Sequence, residues 1–364
     1  MRIMRSEARK ILSSGTVIPA IPLALDENRK FDETKQRVLV RYYLNSGAGG
    51  IAVAVHTTQF EIRLPEINLF HTVVKTVMDE VEQFEKKNNK TIIKVVGVCG
   101  KVDQAVAEAK FAAEVNADAV LLSPSNLQDL NEDAMIERTK VIAGIMPIIG
   151  FYLQPAAGGR IFSANYWKRL SDIDGVVAIK SAPFNRYQTI ELVRGVALSE
   201  RRDEIALYTG NDDNIINDLL TKYEFNINGK KITKRFVGGL LGHWAVWTKA
   251  TVDIFEKIRE YRDKEISEIP AELLTLNIKI TDMNAVLFDA ANGFAGCISG
   301  VHEVLRRQGI FKGIWCLSAD EKLSPGQSEE LDRIYADYPE LTDDDFIKAN
   351  LNEWLTFLFP QKEK

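Results

Sequence analysis

The sequence predicts an α/β fold, a (β/α)8 TIM-type barrel with a carboxy-terminal helical extension. Three observations carry that prediction. Eight short, continuous apolar runs recur between residues 17 and 239. Amphipathic stretches with apolar residues at three- and four-residue steps lie between them. The length of 364 residues suits one barrel of roughly 250 residues plus an extension, although it also allows two domains.

The elements follow in order. Residues 1–14 form an amino-terminal extension with Arg2, Arg5, Arg9 and Lys10, whose Ile3, Met4, Ile11 and Leu12 are too scattered for a signal-peptide core. The barrel is expected over 15–262, with strands at 17–23, 50–55, 92–97, 119–122, 147–152, 176–180, 205–209 and 235–239. Helical periodicity marks 33–45, 65–87, 103–115, 131–144, 190–199 and 244–261. Continuous apolar strands separated by helices imply a parallel sheet buried on both faces, and eight such units are the number that closes a barrel. A doubly wound open sheet is the alternative, but G-x-G-x-x-G after the first strand is absent. The run Gly47-Ala48-Gly49-Gly50 precedes a strand and reads as a turn, with a phosphate cradle as the less simple option.

Residues 224–236 interrupt the alternation. Asn228-Gly229 supplies the two positive φ angles of a type I′ turn between alternating polar and apolar residues, so a small β-hairpin is expected there. Beyond 262 the strands stop. Helices at 274–291, 298–308, 328–335 and 343–358 compose a carboxy-terminal segment over 263–364, punctuated by Pro325-Gly326 and Pro339.

With 46 Lys+Arg against 51 Asp+Glu, the net charge is −5, which argues against nucleic acid as a partner. At 46% hydrophobic and 27% charged residues, the chain has the material for a core and is too apolar for intrinsic disorder. No apolar stretch reaches the roughly 18 residues of a membrane span, so no membrane partner is expected. Cys99, Cys297 and Cys316 are odd in number and contain no CxxC pair, which points to a reducing, cytoplasmic compartment and against a zinc knuckle.

In such a barrel the chemistry belongs at the carboxy ends of the strands. The informative residue there is Lys180, which terminates the apolar strand Val176-Val177-Ala178-Ile179. Desolvation disfavours the ammonium and makes the amine a nucleophile for a carbonyl, although spacing alone leaves a solvent-reaching or ion-paired lysine equally open. Tyr152 ends the preceding strand and could relay protons, or it could pack. Thr57 and Thr58, after the second strand, offer hydroxyls and backbone N–H groups to a carboxylate, although a threonine pair is also a common loop element.

These segments resemble the dihydrodipicolinate synthase / N-acetylneuraminate lyase family of Schiff-base aldolases. The matching stretches are Gly15–Leu25 (GTVIPAIPLAL), Gly47–Thr58 (GAGGIAVAVHTT), Ala117–Pro124 (ADAVLLSP), Pro147–Pro155 (PIIGFYLQP), Val176–Lys180 (VVAIK) and Thr209–Asp212 (TGND), in the family's order. The resemblance implies a homo-oligomer, a dimer or tetramer, in which lysine forms an imine with pyruvate or another 2-oxo acid, with no metal and no organic cofactor. By position, Lys180 resembles the Schiff-base lysine, Tyr152 the proton-shuttling tyrosine, and Thr57 with Thr58 the carboxylate clamp.

The sequence also departs from the family pattern. His56 stands where a small residue is usual, and Gln59-Phe60 where Gly-Glu is usual. Ser125-Asn126 replaces an aromatic pair, Ala156-Ala157-Gly158-Gly159 precedes a displaced Arg160, and His243-Trp244 is bulkier than usual. His56 and His243 could be acid–base groups or could shape the pocket. Arg160 is read as a carboxylate clamp or a solvent-exposed arginine. Asp212 and Asp213 read as caps of the seventh helix. His71 and His302 fall in helices and are assigned no chemistry. Together, His56, Gln59, Asn126, Arg160, His243 and Trp244 are expected to form a specificity rim for a hydroxylated or acidic second half of the substrate. The function expected is a Schiff-base lyase or aldolase, the alternatives being a 2-keto sugar acid dehydratase and a non-catalytic metabolite-binding barrel.

Overall fold

The computed structural model describes residues 2–264 and 268–356. The strands β1 (Val17–Pro19), β2 (Gly50–Val53), β3 (Ile93–Val98), β4 (Ala119–Leu122), β5 (Ile148–Leu153), β6 (Val176–Ala182) and β7 (Ala206–Thr209) are all buried. A hairpin, β8 (Tyr223–Ile227) and β9 (Lys230–Lys234), precedes β10 (Phe236–Leu241). The sheet order is β1-β10-β7-β6-β5-β4-β3-β2, every pairing is parallel, and a bridge between Ala20 and Ala52 brings the two ends together. This is the (β/α)8 barrel that the eight apolar runs predict, and not the open sheet. The first strand stops at Pro19 rather than at residue 23, since prolines at 19 and 22 lack the N–H that a ladder needs.

The hairpin turn has φ 52° at Asn228 and 76° at Gly229, as Asn-Gly demands. The Gly47 run is a turn, with Gly47 closing the helix that precedes β2.

The helices are α1 (Ser6–Ser14), α2 (Glu33–Ser46), α3 (Phe70–Asn88), α4 (Val102–Glu114), α5 (Glu132–Ala143), α6 (Ala164–Ser171), α7 (Arg186–Leu198), α8 (Ile215–Leu220) and α9 (Thr248–Asp263). After them come α10 (Glu272–Leu287), α11 (Cys297–Arg307), α12 (Gln327–Asp337) and α13 (Asp344–Thr356). The predicted end of the last helix, at residue 358, lies outside the described residues. The third helix begins at Phe70 instead of 65, because two short 3-10 turns, His56–Thr58 and Phe60–Arg63, take up the chain after β2.

Residues 6–14 of the amino-terminal extension form α1, which closes the barrel floor. Met4, Ala8 and Leu12 join the interior cluster with Ile18, Ile93 and Tyr208, and the Tyr208 hydroxyl donates to the Leu12 carbonyl at 2.9 Å. Arg5 pairs with Asp118 at 2.7 Å and Glu85 at 2.8 Å, both beside the amino ends of strands. At the other end, Asp343 ties the carboxy-terminal helices to the barrel, accepting from Tyr42 (2.6 Å), Gln308 (3.0 Å) and the Lys249 N–H (2.9 Å).

Side chains alternate across the barrel wall. On β5, Ile149, Phe151 and Leu153 belong to the interior cluster, whereas Ile148 and Tyr152 belong to the outer core beneath the helices. On β6, Ala178 and Ala182 face inward, while Val176 and Ile179 face outward. Lys180 therefore falls on the inward phase.

Candidate active site

A cavity of about 150 Å3 opens at the carboxy-terminal mouth, lined by Lys180, Asp212, His56 and Thr57 among others. Lys180, 8% exposed, is paired in register with Phe151, and its Nζ lies 4.5 Å from the centre of the Phe151 ring. Gly210 leaves room for it, since a Cβ there would sit 2.5 Å from Lys180 Cε. Burial pushes the Lys180 amine below its ordinary range, and the neighbouring Asp212 carboxylate only partly opposes this.

Asp212 stands on the loop after β7. Burial pushes its carboxyl upward, against the N–H of His243, the charge of Lys180 and the N–H of Gly242. The His243 N–H donates to Asp212 Oδ1 at 2.9 Å. The loop is braced by Asn211, which accepts from the Phe184 N–H (3.1 Å) and donates to Asp218 (2.9 Å), and by Thr209, which also donates to Asp218 (2.7 Å). Asp212 and Asp213 are thus not helix caps: α8 starts after Asn214 with no side-chain cap.

His56 sits between the Lys180 cavity and a larger cleft of about 940 Å3. Burial, and then the charge of Lys180, lower its pKa to about 4, so the imidazole is neutral near pH 7. Thr57 lines the cavity with its hydroxyl 2.9 Å from the Ala20 carbonyl. Thr58 does not line it. Its hydroxyl donates to the Ile21 carbonyl at 2.7 Å and accepts from the Val55 N–H at 3.2 Å, which makes it a brace of the 3-10 turn.

Other expectations are corrected by side-chain direction. Tyr152, paired with Ser181, turns out of the barrel and packs at 5.0 Å on Trp167 and 6.0 Å on Phe162. Burial raises its pKa to about 12, and it is not among the cavity's lining residues. Phe151, one residue earlier, takes the inward place, although Tyr152-Leu153-Gln154-Pro155 keeps the Y-x-x-P spacing.

Arg160 donates to the Leu130 carbonyl and lies over the Phe162 ring at 5.4 Å, away from the cavity. Asn126 is exposed on the larger cleft, its N–H donating to Gly158 at 3.3 Å. Gln59 is buried and accepts from the Leu317 N–H at 2.6 Å. The His243 ring packs at 5.6 Å on Trp247, and that of Trp244 at 6.2 Å on Phe255, both in the outer layer. Of the expected rim, His56 alone faces Lys180. Residues that sequence reasoning missed are Asp212, Phe151, Phe184, Phe288, Phe294 and Cys297. The last three come from beyond the barrel, and no linear motif marks them.

The fold and this site define an α/β barrel whose candidate centre is a buried amine at the carboxy-terminal mouth. The chain belongs to the dihydrodipicolinate synthetase family, whose model matches residues 13–222. A 4-hydroxy-tetrahydrodipicolinate synthase of Oceanobacillus iheyensis is 27% identical over 206 residues, 55% of this chain and 64% of that protein. One of Clostridium novyi is 31% identical over 130 residues, 35% of this chain and 42% of that protein. The match thus spans less than two thirds of these relatives. Among solved structures, a dihydrodipicolinate synthase of Acinetobacter baumannii complexed with pyruvate superposes with TM-score 0.70 at 20% identity, covering 89% of this chain and 99% of that one. An N-acetylneuraminate lyase of Fusobacterium nucleatum gives 0.67 at 14%, covering 90% and 99%. These likenesses show the fold. Among the described residues, no helix is long and apolar enough to cross a membrane.

Proposed function

We propose that this protein is a Schiff-base lyase or aldolase that holds a 2-oxo acid as an imine on Lys180. The observation that carries the reading is the buried Lys180 amine, lowered by desolvation, next to the Asp212 carboxyl. The neutral Nζ attacks the C2 carbonyl to give a carbinolamine. Protonation of its hydroxyl releases water and leaves a cationic imine. That cation draws electrons from C3, so an enamine forms either by loss of a C3 proton or, where C4 carries a hydroxyl, by cleavage of the C3–C4 bond, the hydroxyl giving up its proton and the C4 fragment leaving as an aldehyde. Condensation is the reverse of the cleavage.

Asp212 is the proton carrier in this scheme, because its carboxyl is pushed upward by burial and stands beside the amine. Phe151 has no hydroxyl to offer and Tyr152 faces away. Thr57 alone carries the carboxylate, turning its hydrogen from the Ala20 carbonyl to the ligand. Proton NMR of pyruvate in D2O tests the enamine step. Methyl exchange by the wild type and none by Lys180→Arg is the result expected, since arginine stays protonated. Exchange that survives the substitution would overturn the proposal.

A further inference from the structure

We infer that the Lys180 pocket selects 2-oxo acids with an apolar tail, aliphatic or a single aromatic ring, through a gate formed by Phe184 and Phe294. This rests on the imine reading and adds the substrate class. Four phenylalanines line the cavity from four separate segments: Phe151 on β5, Phe184 after β6, Phe288 after α10 and Phe294 before α11. Besides Lys180, Asp212, His56 and Thr57, the described lining brings only Gln154 and Cys297 as polar side chains. A hydroxylated tail would therefore lose hydrogen bonds to water with few replacements. About 150 Å3 of largely apolar space is of the size that accepts a benzene ring.

The gate carries a second, independent mark. Phe184 and Phe294 have φ 51° and 70°, a left-handed conformation that bulky residues rarely adopt. Each is held there, Phe184 by its N–H on Asn211 (3.1 Å) and Phe294 by its N–H on the Asp289 carbonyl (2.9 Å). Their rings meet edge to face at 6.0 Å, both half-buried at the mouth. Strain of this kind persists where the surroundings over-determine it, and it clusters at ligand clamps.

The test is borohydride trapping on Lys180, followed by peptide mass spectrometry, with pyruvate, 2-oxopentanoate, benzylidenepyruvate and a six-carbon 2-oxo-3-deoxy sugar acid. Trapping of the apolar-tailed acids should exceed that of the sugar acid by about tenfold to a hundredfold. Phe294→Ser should shrink that ratio and Phe294→Leu should keep it. Equal or better trapping of the sugar acid overturns the inference while leaving the imine intact, and a ratio unmoved by Phe294→Ser removes the gate. If not even pyruvate is trapped, the imine reading itself fails and this inference falls with it.

Discussion

Phe151 and Lys180 stand opposite each other on β5 and β6, the lysine nitrogen 4.5 Å from the ring centre. The aromatic face favours a cation, as does Asp212, yet burial outweighs both and the amine is shifted toward its neutral form. The same pairing decides where a proton carrier can stand, for it puts Tyr152 on the far side of the wall.

Tyr152→Phe is therefore expected to leave pyruvate exchange within about threefold of wild type, whereas a relay hydroxyl would cost about a hundredfold or more. Steady-state exchange rates decide between the two.

Asp212→Asn should act in two opposite ways. Without the carboxylate that raises its pKa, the Lys180 amine titrates lower, so imine formation sets in at a lower pH. Methyl exchange, which needs the proton carrier, should fall by roughly a hundredfold. A pH profile displaced upward, or unchanged exchange, would count against the assignment.

Gly210→Ala puts a Cβ 2.5 Å from Lys180 Cε and 2.8 Å from Ala182 Cβ. The lysine must shift, and a displacement near 1 Å lowers reactivity by about a hundredfold. Trapping rates within threefold of wild type would show that Lys180 tolerates the intrusion.

His302 tests the carboxy-terminal packing. It is fully buried, with Nδ1 3.7 Å from Cys316 Sγ, and burial lowers its pKa to about 4. Below its ordinary value of 6.5 the unfolded chain binds a proton that the folded chain refuses, so stability from this group is lost as pH falls from 6.5 toward 4. Between pH 6.5 and 5 that amounts to about 2 kcal/mol. Urea unfolding of His302→Gln should show a correspondingly weaker decline with acid than the wild type does. Parallel declines would contradict the shift.

The barrel was legible because burial on both faces writes apolar runs and helical periodicity directly into the chain. Lys180 was legible for the same reason, as a charge ending such a run. Side-chain direction was harder to read. Strand alternation moves a residue to the other face at each step, and the position of Tyr152 at a strand end does not say which of Phe151 and Tyr152 points inward. Asp212 looked like a cap because a cap and a site carboxylate share the loop before a helix. Phe288 and Phe294 come from the segment after the barrel, and only the folded chain brings them to Lys180.

The most direct measurement is peptide mapping after borohydride reduction in the presence of pyruvate. A single reduced adduct on the peptide carrying Lys180, absent from Lys180→Arg, is the predicted result. No adduct with pyruvate or any longer 2-oxo acid, or an adduct on another lysine that persists in the variant, would contradict the account.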